Sequence, residues 1–258
     1  MFETFVLPTY SLFMRELVRF YRQRSRMIGV IGSPILFWFF IGSGLGNSFR
    51  PSSSSQGMSY LEYFFPGTLM LIMLFTAIFS TMSIIDDRKE GFLQSVLVAP
   101  IRRSSIAFGK ILGGTMLALL QGAIFLFLAP TIGLYFNIFQ LIILLGILFV
   151  VGFGLTGLGF MIAWRMDSTQ GFHAIMNLFL IPLWLLSGSL FPIEKTPGWL
   201  RSIMLCNPLT YDISVVRQLL YGLGSLRSTD FYFSLIVVFG FCGIVFGGSL
   251  WAIHKKTI

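Results

Sequence analysis

Hydrophobic positions along this chain collect into six long runs separated by polar breaks. The runs cover about residues 28–46, 62–85, 107–134, 139–164, 170–190 and 231–253. Runs of that length approach or exceed the roughly 20 apolar residues that a helix needs to cross a hydrocarbon core. They predict six membrane-spanning helices, the first containing Pro34, which neighbouring helices can accommodate. The breaks differ in kind. "NSFRPSSSSQGMS" and "RMDSTQ" read as polar turns, whereas the connection at 191–229 is long enough for structure of its own. Residues 1–27 follow another period. Arg15, Arg19, Arg22 and Arg26 share one helical face, with Phe13, Leu17 and Phe20 on another. That segment predicts an amphipathic helix along the membrane surface or, more simply, a basic anchor ahead of a span.

The most charged stretch lies between the second and third runs. "DDRKEGFLQSVLVAPIRR" reads as a short helix over 86–100. Asp86 and Asp87 fall near its start, where a helix N-terminus favours negative charge. Phe92, Leu93, Val96 and Leu97 form an apolar stripe, and Pro100 stops it. Two readings stand side by side: a loop that merely sets topology, or a knob that offers its stripe to a groove in a soluble partner.

Composition fixes the class. The chain is 55% hydrophobic and 11% charged, against about 25% charged in a soluble domain. Its mean hydropathy is +0.84. These values describe an all-α polytopic membrane protein made of one transmembrane domain. The net charge of +8 belongs to topology rather than to nucleic acid. With six spans, thirteen basic residues fall on one side and five on the other, which places both termini and residues 86–110 in the cytoplasm. No G-x-x-x-x-G-K-[ST] is present, so the chain has no P-loop. Two histidines and the unrelated cysteines Cys206 and Cys242 offer no catalytic or metal constellation. Glu62 and Asp167 sit only at span ends, which weakens an ion-coupled carrier. Glycines at 152, 154, 157 and 159, and the G-x-x-x-G of Gly243 and Gly247, predict close helix contacts.

Two segments carry a resemblance. "DDRKEGFLQSVLVAPIRRSSIAFGK" is similar to the first cytoplasmic loop of type-2 ABC exporter membrane subunits, through Glu90, Gly91, Leu97, Pro100, Arg103, Gly109 and Lys110. Phe92 stands where that family usually has Thr. "LSGSLFPIEKTPGWLRSIMLCNPLTYDISVVRQLLYG" resembles the family's outer segment, through Gly188, Phe191, Pro192, Pro197, Trp199, Leu200, Asn207, Pro208, Leu209, Tyr211 and Arg217. The drug-resistance and the polysaccharide or nodulation-factor branches look nearest.

The resemblance implies a pore of two such subunits, a homodimer, with two copies of a separate ATPase that binds MgATP. This chain itself holds no cofactor. It implies that residues 86–100 form the coupling helix, engaging the ATPase through Asp86, Asp87, Arg88, Glu90, Gly91, Phe92, Leu93, Val96, Leu97, Pro100 and Arg103. It implies an interfacial helix bearing Arg15, Arg19, Arg22 and Arg26 in contact with lipid. It also implies short re-entrant outer helices carrying Phe191, Pro192, Pro197, Trp199, Asn207, Pro208, Tyr211 and Arg217. The expected cargo is hydrophobic or amphiphilic, facing residues such as Phe37, Trp38, Phe39, Met70 and Met73. The alternative is a polysaccharide or lipid-linked glycan. An ion-coupled carrier and a membrane scaffold without transport remain as readings from other classes.

Overall fold

The computed structural model describes residues 4–22, 24–45, 59–222 and 229–255, and these are helical almost throughout. The helices are α1 (Val6–Arg22), α2 (Arg24–Leu45), α3 (Tyr60–Ser80), α4 (Met82–Lys89), α5 (Phe92–Val98) and α6 (Arg103–Leu126), followed by α7 (Ile138–Ala163), α8 (Thr169–Leu185), α9 (Gly198–Cys206), α10 (Pro208–Tyr221) and α11 (Thr229–Lys255). Local sequence explains several boundaries. Ser59 accepts from the Glu62 N–H at 3.2 Å and starts α3, and Ser168 does the same for α8 through the Gly171 N–H. Asn207 caps α10, and Pro208 occupies its first turn, where its missing N–H costs nothing.

α3 is the centre of the bundle and is buried along nearly its whole length. α6 and α7 pack on it and on each other, α2, α8 and α10 take its remaining sides, and α11 lies against α7 and α10. α1 lies against α6 rather than standing apart. The glycine run of α7 works as expected for close approach. A side chain at Gly159 would meet Thr81 and Ile78 of the α3–α4 junction, and one at Gly157 would meet Val245 of α11. Gly243 and Gly247 differ from the expectation, since among the described residues nothing outside α11's own backbone lies within 4 Å of the place a Cβ would take. Their side of α11 is not a helix-packing face here.

Each of the six hydrophobic runs corresponds to a helix, but the boundaries move. Among the described residues, four helical stretches are long and apolar enough to cross a membrane: Tyr60–Lys89, Arg103–Leu126, Ile138–Ala163 and Thr229–Lys255. The first of these joins α3 and α4 across a one-residue interruption at Thr81. α2 runs from Arg24 to Leu45, and α8 has 17 residues. The third run was expected to extend to residue 134. Instead α6 ends at Leu126, and a 3-10 turn at Ala129–Ile132 closes on Gly133.

Candidate functional site

α1 reaches α6 because two glycines let it. Gly109 and Gly113 stand one turn apart on α6, and a Cβ on either would strike α1: Thr9 O at 2.8 Å from the first, Glu16 Cβ at 2.7 Å from the second. This is a small-xxx-small contact, in a place that the glycine count had not marked. Between these glycines lies Lys110, with a side chain only 3% exposed. Its ammonium donates to Glu16 of α1 and to Asp87 of α4, and to the Ser83 hydroxyl at 3.2 Å. One buried amine therefore joins three helices.

Asp87 is the second centre. Its carboxylate is fully buried and accepts a bidentate pair from Arg15, both bonds at 2.7 Å. Arg19 donates to the same carboxylate at 2.9 Å and to Asp86 at 3.1 Å, with Glu90 at 3.9 Å. Charges buried this deeply are tolerated only when paired and hydrogen-bonded, and here three cations face four acids. Arg15, held by its bonds to Asp87, becomes a still stronger base than a free arginine. On the far side of α4, Arg88 donates to Asp167 at 2.7 Å and to the carbonyls of Met166 and Trp164 at 2.9 and 2.6 Å, tying α4 to the turn after α7.

These contacts correct the reading of residues 86–100 as one helix. Asp86, Asp87 and Arg88 belong to the last turns of α4. The chain then reverses through Glu90 and Gly91, which sits in the left-handed region at φ +76°. A separate helix, α5, runs from Phe92 to Val98 and ends on extended Ala99, with exposed Pro100 beyond. Asp86 and Asp87 therefore do not cap a helix start; they neutralise arginines. The apolar stripe is corrected as well. Leu93 is buried, and Phe92, Val96 and Leu97 pack against the protein's own core. What α5 leaves exposed is Gln94, Ser95 and Val98, the last 85% exposed. Phe92 has a specific partner: the Arg15 guanidinium lies 3.7 Å from its ring centroid. A single arginine thus holds Asp87 on one side of the Gly91 reversal and Phe92 on the other.

The remaining predicted residues are dispersed. Arg15 and Arg19 turn inward to acids rather than outward to lipid, because burying Asp87 requires them. Arg22 is exposed, and the side chain of Arg26 lies outside the described residues. Arg103 contributes to α6, where its guanidinium donates to the Ile253 carbonyl at 3.4 Å, far from α5 in sequence and joined instead to α11. In the outer segment Asn207 is the main tie. Its amide nitrogen donates to the Leu183 and Leu186 carbonyls at the end of α8, while its oxygen accepts from the Leu209 N–H. Tyr211 donates to Leu205 O at 2.7 Å, and Arg217 donates to Gly188 O at 3.0 Å with its charge over the Tyr63 ring. Pro192 is buried, Phe191 is half-buried, Pro197 stands just before α9, and Trp199 is 68% exposed.

Sequence reasoning missed three features. Lys110 was counted as a topology signal, although a cation inside an expected span demands an acid, and Glu16, a lone acid among arginines, was there to be paired. Asp212 was passed over in "LTYDISVV". It is 2% exposed in α10 with no hydrogen-bond or ion-pair partner among the described residues. Third, an apolar cavity of about 680 Å³ opens between α2, α3 and α8, lined among others by Phe37, Phe75, Phe79, His173 and Trp184. Phe37 was an expected cargo-facing residue and lines it. Trp38, Met70 and Met73 are buried in the core instead, and Phe39 is exposed away from it.

Residues 8–221 match the ABC-2 type transporter family. That stretch holds α1, the paired charges, α5 and the outer segment together. The chain belongs to the ABC-2 type transporter family. It is similar to the transport permease ycf38 of Cyanophora paradoxa, 28% identical over 218 residues, covering 83% of this chain and 74% of that protein. Nodulation protein J of Rhizobium leguminosarum bv. trifolii is 24% identical over 77% of this chain and 75% of its own length. The multidrug ABC transporter permease YbhR of Escherichia coli (strain K12) is 26% identical over 64% of this chain and 45% of its own. Membership makes this ABC-2 type protein a multi-pass permease component that works with an ATPase partner in an ABC transporter complex, and not the ATPase itself.

Proposed function

We propose that this ABC-2 type permease exports a hydrophobic or amphiphilic molecule across the cytoplasmic membrane, driven by MgATP hydrolysed in two copies of its ATPase partner. The observation that carries this reading is the grip of Arg15 on both Asp87 and Phe92. α5 hangs beyond Gly91 with Gln94, Ser95 and Val98 facing outward, a small edge suited to a partner's groove. A push on that edge moves Phe92, and Arg15 passes the displacement to Asp87, Lys110 and hence α6. In this reading α5 is the coupling helix and both termini are cytoplasmic. The six hydrophobic helices cross the membrane, with α2 and α8 packing against a second copy. α9 and α10 form the re-entrant outer segment.

The cargo reading rests on the cavity between α2, α3 and α8, whose walls are almost wholly apolar. Exposed apolar faces flank it, with Leu36, Phe39 and Phe40 on α2 and Leu178 and Phe179 on α8. A homodimer related through these faces would enclose the cavity. The rings of Phe75, Phe79 and Trp184 favour a lipid-linked glycan as the second reading, since sugars stack on aromatic faces.

The test is reconstitution of the chain with its ATPase in vesicles, with Phe92→Ala and Arg15→Ala beside the native protein. Loss of a contact worth about 1 kcal/mol lowers ATP-driven transport roughly fivefold in Phe92→Ala, while ATP hydrolysis continues. Unchanged transport in both variants would sink the coupling reading. Failure of any ATPase to co-purify with the native chain would sink the assembly reading. Vesicles loaded in parallel with an apolar dye and a lipid-linked oligosaccharide separate the two cargo classes.

A further inference from the structure

Cations at the α4–α5 end of the bundle fall into two sets. Arg15, Arg19, Arg88 and Lys110 are each paired with a carboxylate. Lys89, Arg102, Arg103, Arg165 and Lys255 have no acidic partner among the described residues. Arg103 instead donates to the Ile253 carbonyl, which brings the start of α6 to the end of α11. Arg165 and Lys255 converge on one ring, with their charges 5.4 and 4.5 Å from the centroid of half-exposed Trp251. Asp167, two residues from Arg165, is bonded to Arg88. Like charges gathered this way, with no acid between them, form a rim of uncompensated positive potential.

An apolar groove begins beside this rim. It has a volume of about 340 Å³ and runs between α1 and α6, lined by Phe5, Val6, Tyr10, Phe13, Phe108 and Leu112. Arg102 is exposed at its end, where its backbone N–H bonds to the Thr4 carbonyl at 3.3 Å. The Phe108 ring continues the wall toward α7 and α11, 6.0 Å from Phe153 and 5.8 Å from Phe246. Groove, aromatic wall and basic rim are therefore contiguous, with a tryptophan at the level where membrane proteins concentrate that residue.

We propose that this groove and rim bind an anionic phospholipid, with one acyl chain in the α1–α6 groove and the phosphate on Arg102, Arg165 and Lys255. Charge complementarity selects this occupant. A zwitterionic headgroup would bring its own cation to a rim where the neighbouring acid, Asp167, is already paired with Arg88. A second copy of this chain would bring the same excess of cations. A soluble phosphate would leave the groove unfilled. Bound there, the lipid would pin α1 against α6 from the membrane side, opposite the charges that pin it from within. The proposal stands apart from the cargo and coupling readings, since it needs neither the ATPase nor transport.

The experiment is native mass spectrometry of the full chain in detergent, incubated separately with phosphatidylglycerol, phosphatidylcholine and glycerol phosphate. The native protein should retain phosphatidylglycerol on the order of tenfold better than phosphatidylcholine. Glycerol phosphate should fail to displace it. Arg102→Gln with Lys255→Gln should bring the two lipids to near parity at unchanged thermal stability. Val6→Trp, which fills the groove from an exposed position, should weaken both lipids. Equal retention of the two lipids by the native chain overturns the proposal, as does an undiminished preference in the double variant. Displacement by glycerol phosphate overturns the acyl-chain half and leaves only an anion site.

Discussion

Lys110 shows how much one side chain decides here. It is buried between Glu16 and Asp87, and Asp87 keeps two arginines when the amine is removed, whereas Glu16 keeps no salt-bridge partner among the described residues. Breaking a buried pair by deleting one member costs far more than the pair's net worth. Lys110→Met is therefore expected to destabilise the protein by about 3 kcal/mol, read as a lowered unfolding midpoint in detergent. Lys110→Met combined with Glu16→Leu should recover a good part of that loss, because no orphaned charge remains. Equal midpoints for the single and double variants would show that Glu16 is not held by Lys110. The residues needed for this pairing were all visible in the sequence. Their pairing was not, because Glu16, Asp87 and Lys110 are far apart along the chain and nothing local brings them together. Phe92 illustrates the same limit. As a departure from Thr it stood out, but only the fold gives it Arg15 as a partner.

Among the elements, the α4–Gly91–α5 hinge carries the most consequence. Helix existence was legible, since hydropathy alone placed runs at 62–85 and 170–190, close to α3 and α8. The direction of the faces was not. An apolar stripe looks the same whether it meets a partner or the protein's own core, and α5 turned its stripe inward once Gly91 reversed the chain. α1 was legible as amphipathic, yet Arg15 and Arg19 point inward, because the acids of α4 take precedence over lipid headgroups. The left-handed φ at Gly91 supplies a direct test. Gly91→Ala forces a Cβ into a region that costs about 1–2 kcal/mol for an L-residue. The expected result is a stability loss of about 1 kcal/mol with weakened coupling of ATP hydrolysis to transport, and a smaller effect for Gly91→Asn. A neutral Gly91→Ala would mean that the hinge relaxes freely.

At the scale of the whole molecule, the class followed from composition, and the six-helix order from hydropathy. How the helices group around α3 did not follow, nor did the cavity, since both depend on which face of each helix is buried. The proposed dimer uses the exposed apolar faces of α2 and α8. In a Cys206→Ser background, Phe40→Cys or Leu178→Cys is expected to form crosslinked dimers under mild oxidation, whereas Ile244→Cys, 77% exposed on α11, should not. Crosslinking through α11 with none through α2 or α8 would place the second copy on the opposite flank.

The buried amine of α6 also bears on how the chain enters its membrane during synthesis. An unpartnered lysine is costly to insert, by about 2.5–3.5 kcal/mol at a helix centre and less toward the end of the helix, where Lys110 lies. Glu16 and Asp87 precede Lys110 in the order of translation. Both acids have therefore left the ribosome before the amine needs them, and α6 can neutralise itself on arrival instead of waiting for a later segment.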